Sequence, residues 1–174
     1  MLGRMDTFPD AFAKLINVEQ GLSMDPTDRG NWTSGKVGVG QLKGTKYGVS
    51  AMSYPTLDIA NLALDDAQAI YRRDYWNKVH ADQLPSVVAF QVFDAAVNSG
   101  VSQAAKWLQK SVGATPDGVI GNLTLAAVSA LAPAVITGRF NAYRLIDMTD
   151  MAGWPMNSRG WAKRVGNNLL MGLA

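Results

Sequence analysis

The chain has 174 residues, with 16 Lys and Arg against 14 Asp and Glu, one histidine and no cysteine. A formal charge of +2, with 48% apolar and 17% charged residues, describes a chain that builds a real core and gives no electrostatic case for nucleic-acid binding. Without cysteine there are no disulfides, Cys nucleophile or thiolate metal centres, and His80 alone cannot make a multi-histidine metal site.

Hydrophobic periodicity is mostly helical. Residues 1–10 carry Arg4, Asp6, Pro9 and Asp10 and lack the apolar stretch of a secretory signal. Synthesis in a cytoplasm is therefore expected, with another exit route for any action outside it. Pro9 suits the first turn of a helix capped by Thr7 or Asp6. Phe12, Leu15, Ile16 and Glu19 then share one face, and the helix is expected to end at Gly21. Residues 21–50 hold seven glycines and read as loops around a small β-hairpin. Helices are expected over 56–63, 65–79, 85–99, 102–111, 122–130, 133–150 and 158–171. Pro85 and Pro133 open two of them, and Asp117-Gly118 with Gly121 marks a tight turn. No segment reaches the roughly 18–20 apolar residues of a membrane span, since Ser129 and Pro133 interrupt Ala126 to Ile136. No stable membrane insertion is expected.

Of the acidic residues only Glu19 is a glutamate, and it lies on the apolar side of its helix. Burial disfavours the charged form and raises a carboxyl pKa, as a general acid near neutral pH requires. Pairing with an arginine, or capping a loop, would explain the same position. Asp28 follows in Asp25-Pro26-Thr27-Asp28-Arg29-Gly30. A loop of that length can bring a second carboxylate opposite the first, the minimal machinery of glycoside hydrolysis. Ordinary turn chemistry produces the same residues.

Glu19-Gln20-Gly21, Asp25-Pro26-Thr27-Asp28-Arg29-Gly30 and Thr45-Lys46-Tyr47-Gly48-Val49-Ser50 together resemble the N-terminal signature of glycoside hydrolase family 108. That family comprises phage endolysins and related muramidases. Ile70-Tyr71 with Tyr75-Trp76, Phe93-Asp94 with Ala96-Val97-Asn98 and Gly100, and Gly160-Trp161 with Arg164-Val165 extend the resemblance in order over residues 8–170. Leu108-Gln109 with Asp117-Gly118, Gly121 and Thr124 is similar to the family's peptidoglycan-binding half. The resemblance implies a mainly α, lysozyme-like fold with a small β-hairpin region after the first helix. It also implies an endo-acting hydrolase of the β-1,4 bond between N-acetylmuramic acid and N-acetylglucosamine. Hydrolysis of that kind is expected to need neither metal nor cofactor. A lytic transglycosylase and a silent peptidoglycan-binding module are the alternatives. Residues 1–100 would form the catalytic lobe and 101–174 a peptidoglycan-binding-like lobe packed on it. The expected partner is peptidoglycan, met by a monomer in the periplasmic wall after the membrane is permeabilised.

Glu19 maps onto the family's catalytic glutamate, with Asp28 and Thr45 across the cleft stabilising charge or holding water. Gln20 departs from the motif, and residues 31–44 look like an insertion. Thr33 therefore competes with Thr45: it keeps the short distance from Asp28, whereas Thr45 keeps the Gly-Val-Ser context, and Thr45 is preferred. Tyr47 is expected to stack on a sugar. Gln91, Asp94 and Asn98 form a polar stripe on one helix face that either lines the sugar site or fixes a buried network. Trp76, Trp107, Trp154 and Trp161 are expected in the core, and His80 at the surface or a cap. The segment from Leu108 to Thr124 either binds the peptide stem or is the core of a helix–turn–helix.

Overall fold

A computed structural model describes residues 7–16 and 21–173. Among these the chain forms seven α-helices: α1 (Phe8–Leu15), α2 (Leu64–Tyr71), α3 (Ser86–Ser99), α4 (Val101–Val112), α5 (Asn122–Ser129), α6 (Pro133–Thr149) and α7 (Trp154–Leu173). The one sheet is a two-stranded antiparallel hairpin, β1 (Thr45–Lys46) and β2 (Val49–Ser50). This is the mainly helical fold with a small β region that the sequence predicts. Two compact units result, residues 12–72 and residues 1–11 with 73–174, and neither boundary falls at residue 100. No single helix among the described residues is long and apolar enough to cross a membrane.

The larger unit is built around α3, which is buried continuously from Val88 to Ala96. Helices α4, α6 and α7 all pack on it, so α3 reads as a nearly unbroken apolar run. At its core Phe93 meets Phe8 and Trp76 edge to face, with centroids 5.9 and 5.4 Å apart. Trp107 is fully buried against Phe140, and its indole N–H donates to Asp147 at 2.8 Å. Trp154 and Trp161 are half-buried and lie against each other rather than in this core. Gly100, at φ 89°, breaks the chain between α3 and α4, and Gly113, at φ 74°, ends α4.

The motif running from Leu108 to Thr124 is a folding device. Gln109 is buried, and its amide donates to Asp117 Oδ1 at 2.7 Å and the Val119 carbonyl at 2.9 Å. Its carbonyl accepts from Gly118 N–H at 2.9 Å. The Gln109 amide bond, and then the Val119 N–H, hold the exposed Asp117 carboxyl below its usual range. His80 is exposed at φ 52°, and its ring pairs with Gln83.

In the smaller unit Phe12 packs edge to face on Tyr71. The helix expected over 56–63 does not form; residues 51–62 are turns. Asp58 accepts from both the backbone and the side-chain amide of Asn61, a local bond that competes with helix formation. Lys43 and Lys46 donate to the carbonyls of Pro55 and Ala60, and that of Pro55 would have accepted the first bond of a helix starting at residue 56. The helix expected over 65–79 is α2 alone; a wider helical turn, Arg72–Trp76, follows it.

The hairpin turn is Tyr47-Gly48, both at positive φ (52° and 75°), the geometry of a type I′ turn. Tyr71 locks it by donating to the Tyr47 carbonyl at 3.1 Å. A Cβ on Gly48 would strike the Tyr71 hydroxyl. Gly48→Ala should therefore cost about 1–3 kcal/mol, read as a lowered midpoint in thermal denaturation. An unchanged midpoint would mean that the turn does not need this geometry.

Candidate active site

Asp28 and Thr45, two of the sequence-predicted site residues, lie in one chain of hydrogen bonds. Asp25 Oδ1 accepts from both the backbone N–H and the hydroxyl of Thr27, at 2.8 and 2.7 Å. Those bonds, the hydroxyl's above all, hold this exposed carboxyl below the usual carboxylate range. Asp28 starts the short helical turn Arg29–Asn31, its Oδ1 accepting from Gly30 N–H at 2.8 Å. A Cβ on Gly30 would lie 3.2 Å from that oxygen, so Gly30 leaves room for the carboxylate. Asp28 Oδ2 has no partner among the described residues.

Asn31 closes the turn and is fully buried. Its N–H donates to the Asp28 carbonyl at 3.1 Å, and its own carbonyl accepts from the N–H groups of Lys43 and Gly44. Its side-chain NH2 donates to the Asp25 carbonyl at 2.9 Å, while Oδ1 accepts from the Thr45 hydroxyl at 2.7 Å. Thr45 is held in turn by an antiparallel bridge to Ser23. Asn31 thus bonds to both Asp28 and Thr45. Sequence reasoning missed it, because an asparagine inside an apparent insertion carries no signal of burial.

Residues 31–44 form a loop of their own, separate from the hairpin. Trp32 pairs with Leu42, and the Trp32 indole donates to the Pro26 carbonyl at 2.9 Å. Thr33 closes the neck: its hydroxyl accepts from Gln41 N–H, and its N–H donates to the Gln41 carbonyl. Ser34 ties the loop at the Lys36 and Val39 carbonyls, leaving Val37 and Val39 exposed at the tip. Thr33 therefore serves the loop, whereas Thr45 joins the Asp28 turn. Tyr47 is half-buried, with the Lys46 ammonium 5.4 Å from its ring centre. Glu19 and Gln20 lie outside the described residues.

Gln91, Asp94 and Asn98 belong to the larger unit. Gln91 and Asp94 are buried, and their polar atoms are held within the protein. Asp94 Oδ2 accepts from Arg144 at 2.6 Å and Asn168 at 2.8 Å, and Oδ1 from Arg164 at 3.1 Å. Gln91 donates to the Asn168 carbonyl and accepts from Asn141. Asn98 is exposed and donates back to the Asp94 carbonyl. Gln91 and Asp94 knit α3, α6 and α7 together from inside, the buried network that the sequence offers as one of its two readings. The reason is energetic, since a carboxylate on a buried helix requires charged or hydrogen-bonded partners, which α6 and α7 provide. No three His, Asp or Glu side chains among the described residues converge to hold a metal ion.

Residues 12–100 match the model of the family described as Glycosyl hydrolase 108. The solved structure of Brucella abortus SagA is similar to the chain, at 31% sequence identity and a TM-score of 0.79. The similarity covers 95% of this chain and 93% of that one. No curated protein matches the chain.

Proposed function

The chain belongs to the glycosyl hydrolase 108 family, and on that premise we propose that it cleaves peptidoglycan between N-acetylmuramic acid and N-acetylglucosamine. Its role is that of an endolysin, acting on the wall from the cell's own side. Glu19 protonates the glycosidic oxygen as positive charge develops on the sugar ring. Asp28 and Thr45 hold the water that attacks C1, and Asp28 receives its proton. Tyr47 offers an aromatic face to a sugar beside them. The observation that carries this reading is the hydrogen-bonded set Asp28, Asn31 and Thr45, in which Asn31 links the Asp28 turn to Thr45, 14 residues further along the chain. Asp28 suits a base better than Asp25, whose carboxyl the two Thr27 bonds hold below its usual range and so make a weaker proton acceptor.

Digestion of purified peptidoglycan, with mass spectrometry of the new ends, tests the reaction. New reducing N-acetylmuramic acid ends are expected. Reducing N-acetylglucosamine ends would overturn the bond assignment, 1,6-anhydro ends would make the protein a transglycosylase, and binding without cleavage would make it a silent module.

A further inference from the structure

We propose that Asn31 is a positioning residue, one that makes the Thr45 hydroxyl a pure acceptor for the attacking water. The inference rests on the muramidase reading above and deepens it. An asparagine amide has two distinct ends, and here each is assigned by its partner. The Asp25 carbonyl, 2.9 Å away, accepts only, so the NH2 end must face it. The oxygen end therefore faces Thr45 at 2.7 Å and accepts its proton. A hydroxyl has one proton to give. With that proton committed to Asn31, Thr45 Oγ1 retains only lone pairs, and no other described group donates to them.

Asn31 is rigid enough for this task. It is fully buried, and its backbone N–H and C=O are engaged as well, with Asp28 on one side and Lys43 and Gly44 on the other. The same residue thus fixes the peptide of Asp28 and the hydroxyl of Thr45.

The consequence for the chemistry is directional. The glycosidic C1–O bond breaks, and the leaving oxygen takes the Glu19 proton. A water oxygen forms the new bond to C1 and passes one proton to Asp28. A water that gives its other hydrogen to Thr45 has both hydrogens occupied, which leaves a lone pair for C1. A freely rotating hydroxyl would donate to that lone pair instead and compete with attack. If water is poorly held, the O6 hydroxyl of the muramic acid attacks its own C1 and loses its proton to the same carboxylate. The product is then a 1,6-anhydro end, with no water consumed.

The test is a mutant cycle on purified peptidoglycan, reading rate, half-saturating substrate and the ratio of reducing to anhydro ends. Asn31→Ala should lower the maximal rate about 10- to 100-fold, with half-saturation moved less than about threefold, and should raise the anhydro share. Thr45→Ser should retain the wild-type ratio. Thr45→Val should match Asn31→Ala, and the double variant should be no worse than Thr45→Val alone, because Asn31 acts through Thr45. Losses that add, or a slower enzyme with an unchanged ratio of ends, would overturn the assignment. Circular dichroism accompanies each variant. Where Asn31→Ala does not fold, Asn31→Asp decides: its carboxylate still accepts from Thr45 but no longer donates to Asp25. A wild-type ratio in folded Asn31→Asp supports the proposal, and lost hydrolysis there overturns it. Anhydro ends from the wild type would instead overturn the muramidase reading itself, which separates the two failures.

Discussion

Glu19→Gln should yield a folded protein that no longer lyses cells. Glutamine keeps the shape of the side chain and removes the proton that the departing sugar oxygen needs. Loss of a positioned general acid costs roughly 10²- to 10⁴-fold in rate, enough to abolish clearing of outer-membrane-permeabilised Gram-negative cells in a turbidity assay. The expectation comes from sequence: Glu19 continues the apolar stripe of Phe12, Leu15 and Ile16, where burial favours the protonated carboxyl. Clearing by the variant at the wild-type rate would remove Glu19 from the chemistry. Retained circular dichroism and retained sedimentation with insoluble peptidoglycan would show that the variant lost chemistry and neither fold nor binding. Asp25→Asn is the informative control. That carboxylate already serves Thr27, so its removal should cost far less than the loss of Glu19.

Much of the fold is legible because helix periodicity is a local signal. The sequence-predicted helices 85–99, 122–130 and 133–150 each fall within two residues of α3, α5 and α6. The failure at 56–63 has a physical cause of a different kind. Asp58 bonds locally to Asn61, while Lys43 and Lys46, distant in sequence, take the Pro55 and Ala60 carbonyls. Periodicity cannot register partners that far away. Polar residues inside the protein were harder still. Gln109 and Asp94 read equally well as ligand contacts or structural hubs, because a sequence shows polarity and not the partner that satisfies it. The partners of Asp94 lie 50, 70 and 74 residues away. Asn31 was invisible for the same reason: its value lies in Asp25 on one side and Thr45 on the other.

The second large effect follows from Asp94. Its side chain is 5% exposed, and that of Arg144 is fully buried beside it. Burial holds the Arg144 pKa below its usual value, and the Asp94 charge opposes that shift. The guanidinium nonetheless stays protonated, since arginine is effectively never neutral in a protein. Only one of its nitrogens bonds to Asp94; its Nε and other Nη have no partner among the described residues. Asp94→Ala would strand this cation in the core and release Arg164 and Asn168 of α7 together. Breaking a buried pair from one side costs about 3–5 kcal/mol, and for a chain of this size each kcal/mol moves the midpoint about 2–4 °C. A fall of about 6–20 °C is therefore expected in thermal denaturation. If the stranded charge is the cause, the double variant Asp94→Leu with Arg144→Met should regain much of the loss, because apolar groups of similar volume replace buried ion pairs at little cost. A double variant no more stable than Asp94→Ala would place the loss instead in the bonds to Arg164 and Asn168. The carboxylate would then act chiefly as the clasp of α7 on α3.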